Sequence, residues 1–401
     1  MISLEDLRQE ADTLKDQLVA VRRDLHMHPE LAFQEVRTAG VVANRLNELG
    51  YEVQTGIGKT GVVGIIEGGA ADDSAAPTHT LLLRFDMDAL PIKEEVDVPF
   101  KSQTDGVMHA CGHDAHTSIG LGVAELLMKH RDQWRGTAKF VFQPAEEIVA
   151  GALAMIKDGV LEGPRPDRAL SLHVWSKMPV GQIQMTDGPA MAAADGFTIV
   201  VRGRGTHGAS PHMGADPIVA AAQIVLALQT IVSRNVDPID QAVVTVGYIR
   251  GGSAQNIIPD TVELGGTTRA FKNELIATMR ERIQTIADST AKALGVSAEV
   301  TFPETFNPAT VNDVSMAKIV RDTAQEMYGE ENMAAQGRTM GAEDASHFLK
   351  AVPGAYVFIG AGNVEKGMDE PHHSPRFQID EDVLPVATAV ITASAMRMLN
   401  E

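Results

Sequence analysis

The sequence predicts an α/β protein interrupted by a second domain of α+β type. Short β-rich apolar runs alternate with stretches of helical periodicity through residues 1–186, and the alternation resumes over 304–401. Between them, residues 187–303 read as strand, helix, two strands, helix, strand, the βαββαβ order of a ferredoxin-like split unit inserted into the first domain. A chain of 401 residues also exceeds the roughly 250–300 that one hydrophobic core serves.

Each element follows from a local pattern. Leu4, Leu7, Leu14, Leu18, Val21 and Leu25 recur at helical spacing, and Pro29 ends that helix. His26 and His28 near its end are read as structural, capping or pairing locally. A second helix is expected over 35–49, stopped by Gly50, then strands over 61–67 and 80–85. The loop between those strands, 68–78, has no expected role. Further on, the patterns give a helix over 117–129, a strand over 139–143, a helix over 150–158 and a strand over 169–175. In the insertion, strands over 197–202, 243–249, 261–271 and 297–302 accompany helices over 215–233 and 274–294. The last stretch gives helices over 313–327 and 381–399, with a strand over 355–360 and another helix opened by residues 340–348.

Composition narrows the function. Hydrophobic residues make up 44% and charged residues 22%, the balance of a soluble globular protein. A net charge of −19 argues against nucleic acid and anionic membrane surfaces, which select basic faces. A single cysteine cannot form an internal disulfide. The N-terminus lacks a basic start followed by an apolar run, and the apolar stretch 217–228 falls short of the ~20 residues that span a bilayer. A cytoplasmic enzyme or binding protein acting on a small molecule is expected.

The chemistry concentrates in Met108-His109-Ala110-Cys111-Gly112-His113-Asp114-Ala115-His116. Thiolate, imidazole and carboxylate bind borderline-soft divalent metals, and Gly112 leaves the backbone free to turn Cys111 and His113 toward one point. The same residues admit a Cys–His nucleophile pair, or a buried thiol beside unrelated histidines. Asp86 and Asp88 follow a strand and either orient a ligand or cap the next turn. Glu146 and Glu147 also follow a strand; side by side on a helix they would point about 100° apart. One can then hold a metal while the other faces a substrate water. His173 lies near the end of another strand, and His372-His373, set between Pro371 and Pro375, is read as supplying one ligand. Polar groups thus recur at the carboxyl ends of strands, where open α/β sheets form their ligand crevice. In the insertion, glycine-rich loops at 203–212 and 251–260 have the composition of loops that close on a small ligand, and equally of plain turns.

Taken together these segments resemble one family, the metal-dependent N-acyl-amino-acid amidohydrolases: hippurate hydrolases, aminoacylase-like carboxypeptidases and auxin-conjugate hydrolases. The resemblance is carried by Arg22 to His26 with Pro29-Glu30, Asp86 to Pro91, Met108 to His116, and Phe142 to Glu147. Gly205 to His212, Asn256 to Asp260, Gly341-Ala342-Glu343-Asp344 and His373-Ser374-Pro375 complete it in order. It implies a mixed-sheet, metallopeptidase-like catalytic domain with helices on both faces. It further implies five metal ligands, Cys111, His113, Glu147, His173 and His373, with His372 in reserve, for two ions of zinc, manganese, cobalt or nickel. Glu146 takes the place of the general base and His207 that of a group polarising the scissile carbonyl. Asn256 and Arg269 match groups that hold the substrate's free carboxylate. Relatives in the wider clan carry a histidine where Asp86 stands, a departure that leaves open whether Asp86 touches metal.

The expected activity is hydrolysis of the amide bond of an N-acylated amino acid, with short peptides as the alternative substrate. Two rivals stand beside it: a cysteine hydrolase using Cys111 with His113 or His116, and a non-catalytic metal- or small-molecule-binding protein. The outer strand of the inserted domain is also expected to pair with a copy of itself, giving a homodimer.

Overall fold

A computed structural model describes residues 2–70 and 78–401. Most of the loop expected at 68–78 therefore lies outside the described residues. The chain divides into two compact units, Met1–Ala190 with Val311–Arg338 and Glu343–Glu401, and Met191–Thr310 with Thr339–Ala342. The second unit starts and ends a few residues later than the expected 187–303, and it takes in a short segment from near residue 340 that the sequence did not assign to it.

The larger unit is built on a sheet of seven strands among the described residues. Its order is Glu52–Ile57, Gly61–Glu67, Thr137–Gln143, Thr80–Asp86, Arg168–Pro179, Gly354–Gly362, Ile183–Gln184. The four strands from Thr137–Gln143 to Gly354–Gly362 run parallel, and the outer ones are antiparallel. This is the mixed sheet that the resemblance implied. The parallel register sets Asp86 beside Gln143 and His173 beside Phe358, so strand ends from distant parts of the sequence converge.

Alternation along the strands explains why one end is chemical. Leu81, Leu83, Phe85, Phe140, Phe142, Leu170, Leu172 and Val174 point into one large core, under the helices His113–Lys129 and Val383–Asn400. Leu82, Val141 and Ala169 point the other way, into a smaller core with Ala152, Met155 and Phe348 from the helices Gly151–Lys157 and Ser346–Ala351. Helices therefore cover both faces. On the second face the alternation continues into Arg84, Asp86, Gln143, Ser171 and His173, all buried, so the apolar layer gives way to polar groups toward the strands' carboxyl ends.

The sequence-derived elements differ from the observed ones in a few places, each with a local cause. The N-terminal helix is two, Leu4–Thr13 and Lys15–Met27. The helix expected from residue 117 starts at His113, because Gly112 caps it at φ +94, where a Cβ would meet Val174 Cγ2 at 2.5 Å. The strand Glu52–Ile57 was not foreseen: it is an edge strand, mostly exposed, with no apolar run to announce it.

The second unit has strands Ala193–Arg202, Ala242–Gly251, Thr261–Ala270 and Ser297–Thr301 and helices Pro217–Asn235 and Asn273–Ala293. Its antiparallel sheet is ordered second, third, first, fourth strand, as a split βαββαβ unit requires. Phe197, Ile199, Val201 and Leu264 of the sheet pack against Ile224, Leu228, Met279 and Ile283 of the helices.

Candidate metal centre

Five donor groups overlap at the carboxyl ends of the parallel strands: Cys111–His113–His173, Cys111–Glu147–His373 and His113–Glu146–Glu147, which hold the expected ligands, and beside them Asp86–His113–His116 and Glu146–Glu343–Asp344. Within each, the ligand atoms lie within 4.8 Å of one another. Cys111 Sγ is 3.5 Å from His173 Nε2 and 3.8 Å from His372 Nδ1. His373 Nε2 is 3.3 Å from Glu147 Oε2. The five residues of the expected ligand set thus meet at one place.

The imidazoles are oriented from behind. His113 Nδ1 donates to the Asp88 carbonyl at 2.9 Å and His173 Nδ1 to the Val174 carbonyl at 2.7 Å, which leaves both Nε2 lone pairs facing the cluster. His113 Nε2 and Glu147 Oε1 are buried with no hydrogen-bond partner. Two orphaned acceptors beside a buried thiol and a second imidazole form a donor set that a divalent cation satisfies. His372 is committed differently: its Nε2 accepts from the Ser176 N–H at 3.3 Å, so Nδ1 carries the proton that faces Cys111.

The other histidines of the 108–116 segment do different work. His116 donates from Nδ1 to Asp86 at 2.6 Å and accepts the Val174 N–H at 2.9 Å, which uses both nitrogens. His109 is buried toward His26, 6.3 Å between ring centres, and burial holds it down at about 4. Asp86 is taken by His116 and by Arg84 at 2.6 Å. Asp88 meets neither alternative as the sequence posed it for the carboxylate, since the turn that group holds lies 58 residues on and not directly after the strand. Its backbone carbonyl orients His113, and its carboxylate accepts the N–H of Glu146 at 3.0 Å and of Glu147 at 3.1 Å.

Those two glutamates occupy a turn ahead of the helix Gly151–Lys157, not the helix itself. Their neighbours differ. Glu147 is shared by two of the donor groups, whereas Glu146 also approaches Glu343 and Asp344. Behind them Arg84 donates to Gln143, Asp86, Glu343 and Asp344, all between 2.6 and 3.1 Å.

Of the clustered carboxylates, Asp86, Glu343 and Asp344 pair with the buried Arg84, whereas Asp88, Glu146 and Glu147 have only histidines as cationic neighbours among the described residues. Proton affinities register that imbalance. Burial, with Glu343 and Glu147 close by, pushes Glu146 well above the usual carboxylate range. Burial and Glu343 push Asp344 up to about 8 against the pull of Arg84. Without a cation, burial would lower His113, but Asp86 and Asp88 prevail and push it up to about 10; a bound cation takes the place of that proton on Nε2. Burial and the charge of Glu147 and Glu146 raise the Cys111 thiol. A thiol in so negative a field gives up its proton to a cation far more readily than it stands as a free nucleophile. That disfavours the cysteine-hydrolase rival.

The remaining expected site residues lie in the second unit. His207 and Asn256 are exposed and brought together there by the short ladder Thr206–His207 with Ile257–Ile258, where the Gly208 N–H donates to the Asn256 carbonyl at 2.7 Å. Arg269 is half-buried on the strand Thr261–Ala270, its guanidinium on the Thr268 carbonyl at 2.9 Å and on Thr267. Arg84, Gln143, Glu343 and Glu35 had no assigned role in the sequence reading. A charged residue inside an apolar strand was the available signal for Arg84; Glu343 was part of a motif without an assigned task.

Fold and site together define a metallohydrolase. The sequence profile of peptidase family M20/M25/M40 matches residues 82–397. The chain is 37% identical over 401 residues to thermostable carboxypeptidase 1 of Saccharolobus solfataricus, covering 99% of each. It is 39% identical to the N-acetyl-L-cysteine deacetylase of Bacillus subtilis, over 97% of this chain and 89% of that one. The crystal structure of Bacillus subtilis YxeP, described as a dinuclear metal-binding peptidase of the M20 family, superposes with a TM-score of 0.82. It shares 34% identity and covers 97% of this chain and 99% of that one. The chain belongs to peptidase family M20/M25/M40.

Proposed function

We propose that this protein hydrolyses the amide bond of N-acylated amino acids, with Cys111, His113, Glu147, His173 and His373 holding two divalent ions and Glu146 acting as general base. The observation that carries the reading is the overlap of the donor groups. Cys111, His113 and Glu147 each belong to two of the three that hold the expected ligands, and five protein donors exceed the usual complement of one catalytic ion. Such ions supply Lewis-acid polarisation of the scissile carbonyl and acidify water at the site toward a pKa of about 7. Glu146 takes the proton of the attacking water and returns it to the leaving amine; its raised proton affinity suits both halves of that task. Asp88 holds the Glu146 and Glu147 amides, so the base and its ligating neighbour keep a fixed relation. His207 stabilises the developing oxyanion, and Asn256 and Arg269 receive the free carboxylate of the substrate.

Thiolate, imidazole and carboxylate donors suit zinc, and manganese, cobalt and nickel are accepted by the same set. Short peptides are the second substrate class, favoured by the 37% identity to a relative named as a carboxypeptidase. The acidic surface and absence of an internal disulfide fit action in the cytoplasm.

Glu146→Gln tests the division of labour. Turnover of N-acetyl and N-benzoyl amino acids should fall by about 10²–10⁴-fold, the scale of general acid–base catalysis. Metal content measured by plasma mass spectrometry should stay at the wild-type value. Loss of metal together with activity would mean that Glu146 is a ligand.

A further inference from the structure

The turn that presents Glu146 and Glu147 is conformationally unusual. Ala145, immediately before them, has φ +53, and Val149, just after, has φ +55. Neither is glycine, so each holds a left-handed backbone that its Cβ opposes. Three successive amides of this turn are held by carboxylates. Glu146 and Glu147 donate to Asp88, and the Ala145 N–H donates to Glu35 Oε1 at 2.9 Å. Consecutive amides turned toward one side by such a backbone form a concavity that takes up negative charge.

Glu35 lies 110 residues earlier and is fully buried, at 0% exposure. Its partners are two backbone amides and a hydroxyl rather than a cation. Oε1 also accepts the Phe33 N–H at 2.9 Å, and Phe33 is itself left-handed at φ +61; Oε2 accepts the Thr60 hydroxyl. A carboxylate sunk in the protein without a counter-charge is costly, and a site retains one where its stronger hydrogen bonds hold something in place. Here one oxygen fixes two left-handed residues at once. Rotation about Ala145 would swing the next side chain, that of Glu146.

We infer that Glu35 is a positioning residue for the general base: by clamping the Ala145 amide it fixes the direction in which Glu146 enters the site. The inference rests on the role given to Glu146 above. The clamp itself has a readout independent of activity, hydrogen exchange of the segment 145–150.

Glu35→Ala, loaded with zinc or manganese, should retain wild-type metal content while kcat falls about 10–100-fold, as expected for a misplaced catalytic group. KM should change less than about twofold, because the substrate does not touch Glu35. Exchange of amides 145–150 should quicken. Glu35→Gln keeps a carbonyl oxygen for Ala145 and should recover at least half of the loss on a logarithmic scale. Thr60→Val disturbs only the far oxygen and should leave kcat within about twofold. Should the alanine variant not fold, Glu35→Asp keeps the charge but withdraws by one methylene, and should show the same fall in kcat and the same faster exchange.

Wild-type kcat with unaltered exchange in a folded Glu35→Ala or Glu35→Asp would overturn the assignment, as would a loss of kcat matched by loss of metal. If the wild-type chain hydrolyses no acylated amino acid or peptide, the reading of Glu146 fails. The exchange measurement would then still decide whether Glu35 holds the turn.

Discussion

A buried cysteine among carboxylates is the residue on which the metal reading is most exposed to test. Replacing Cys111 by serine keeps nearly the same volume but substitutes a hydroxyl that does not ionise in that field. Metal should bind at least about 10-fold more weakly, read by competition with a chromogenic chelator. Full occupancy in the serine variant would remove Cys111 from the ligand set. As a candidate donor this residue was legible in the sequence, as were His113, His173 and the pair Glu146-Glu147, because thiol, imidazole and paired carboxylates at strand ends carry their chemistry in their side chains; only the resemblance chose Glu147 from the pair. Glu35 was not legible. Its task is to accept backbone amides, and a carboxylate that bonds amides across 110 residues leaves no spacing pattern. Between His372 and His373 the preference for the second came from the resemblance alone, through Ser374-Pro375. Their neighbours, Ser176 for one and Glu147 for the other, come from distant segments.

At the scale of elements, the helix His113–Lys129 carries the site, and a buried charge pair ties it to the helix Lys15–Met27. Arg22 donates to Asp114 at 2.8 Å, with side-chain exposures of 2% and 0%. His26 reaches the same carboxylate, also at 2.8 Å. The sequence read His26 as structural, and the contact it makes is of that kind; Arg22 was quoted only within a motif. Removing one partner of such a pair leaves an uncompensated charge, so Arg22→Met should cost about 3–5 kcal/mol in denaturant unfolding. The pH dependence has a definite sign. Burial would raise Asp114, but Arg22 and His26 overcome it and hold the carboxyl well below its ordinary range. A depressed folded pKa contributes stability that is present above the unfolded value, near 3.8, and lost as the pH falls below it. Without Arg22 the carboxyl is held less far down, so the stability gap between wild type and variant should stay constant from pH 7 to about 4 and shrink only as the pH falls below 3.8. A gap that does not shrink below that value would show that Arg22 acts by packing rather than by charge. The same scale explains what the sequence missed among the elements. Buried strands announce themselves as apolar runs, whereas Glu52–Ile57 lies at an edge with little to bury.

At the scale of the whole molecule, exposed apolar side chains gather on one helix of the second unit, where Ile218, Val219 and Leu226 all face solvent. The helix Pro217–Asn235 is 19 residues long with mean hydropathy 1.5, long and apolar enough by those measures to span a bilayer, although the run 217–228 alone was not. One face, with Ala220, Ala221, Ile224, Leu228 and Ile231, packs on its own sheet. The opposite side leaves Val219 51% and Leu226 65% exposed, and seven residues apart they share a stripe. The edge strand Ala242–Gly251 of the same unit adds Ile249 at 56% exposure and a row of unpaired backbone groups. An apolar helix stripe and an open strand edge on one unit are the components of a self-complementary two-fold interface. Because the chain carries a net charge of −19, two copies repel at long range, so pairing by this face should tighten as salt screens that repulsion. Light scattering at tens of micromolar should give twice 42.9 kDa for the wild type. The double variant Val219→Glu, Leu226→Glu should scatter as a single copy with its melting temperature little changed, since neither side chain is buried in the monomer. A wild type that runs at 42.9 kDa in high salt, or a double variant that still pairs, would place the interface elsewhere or dispense with it.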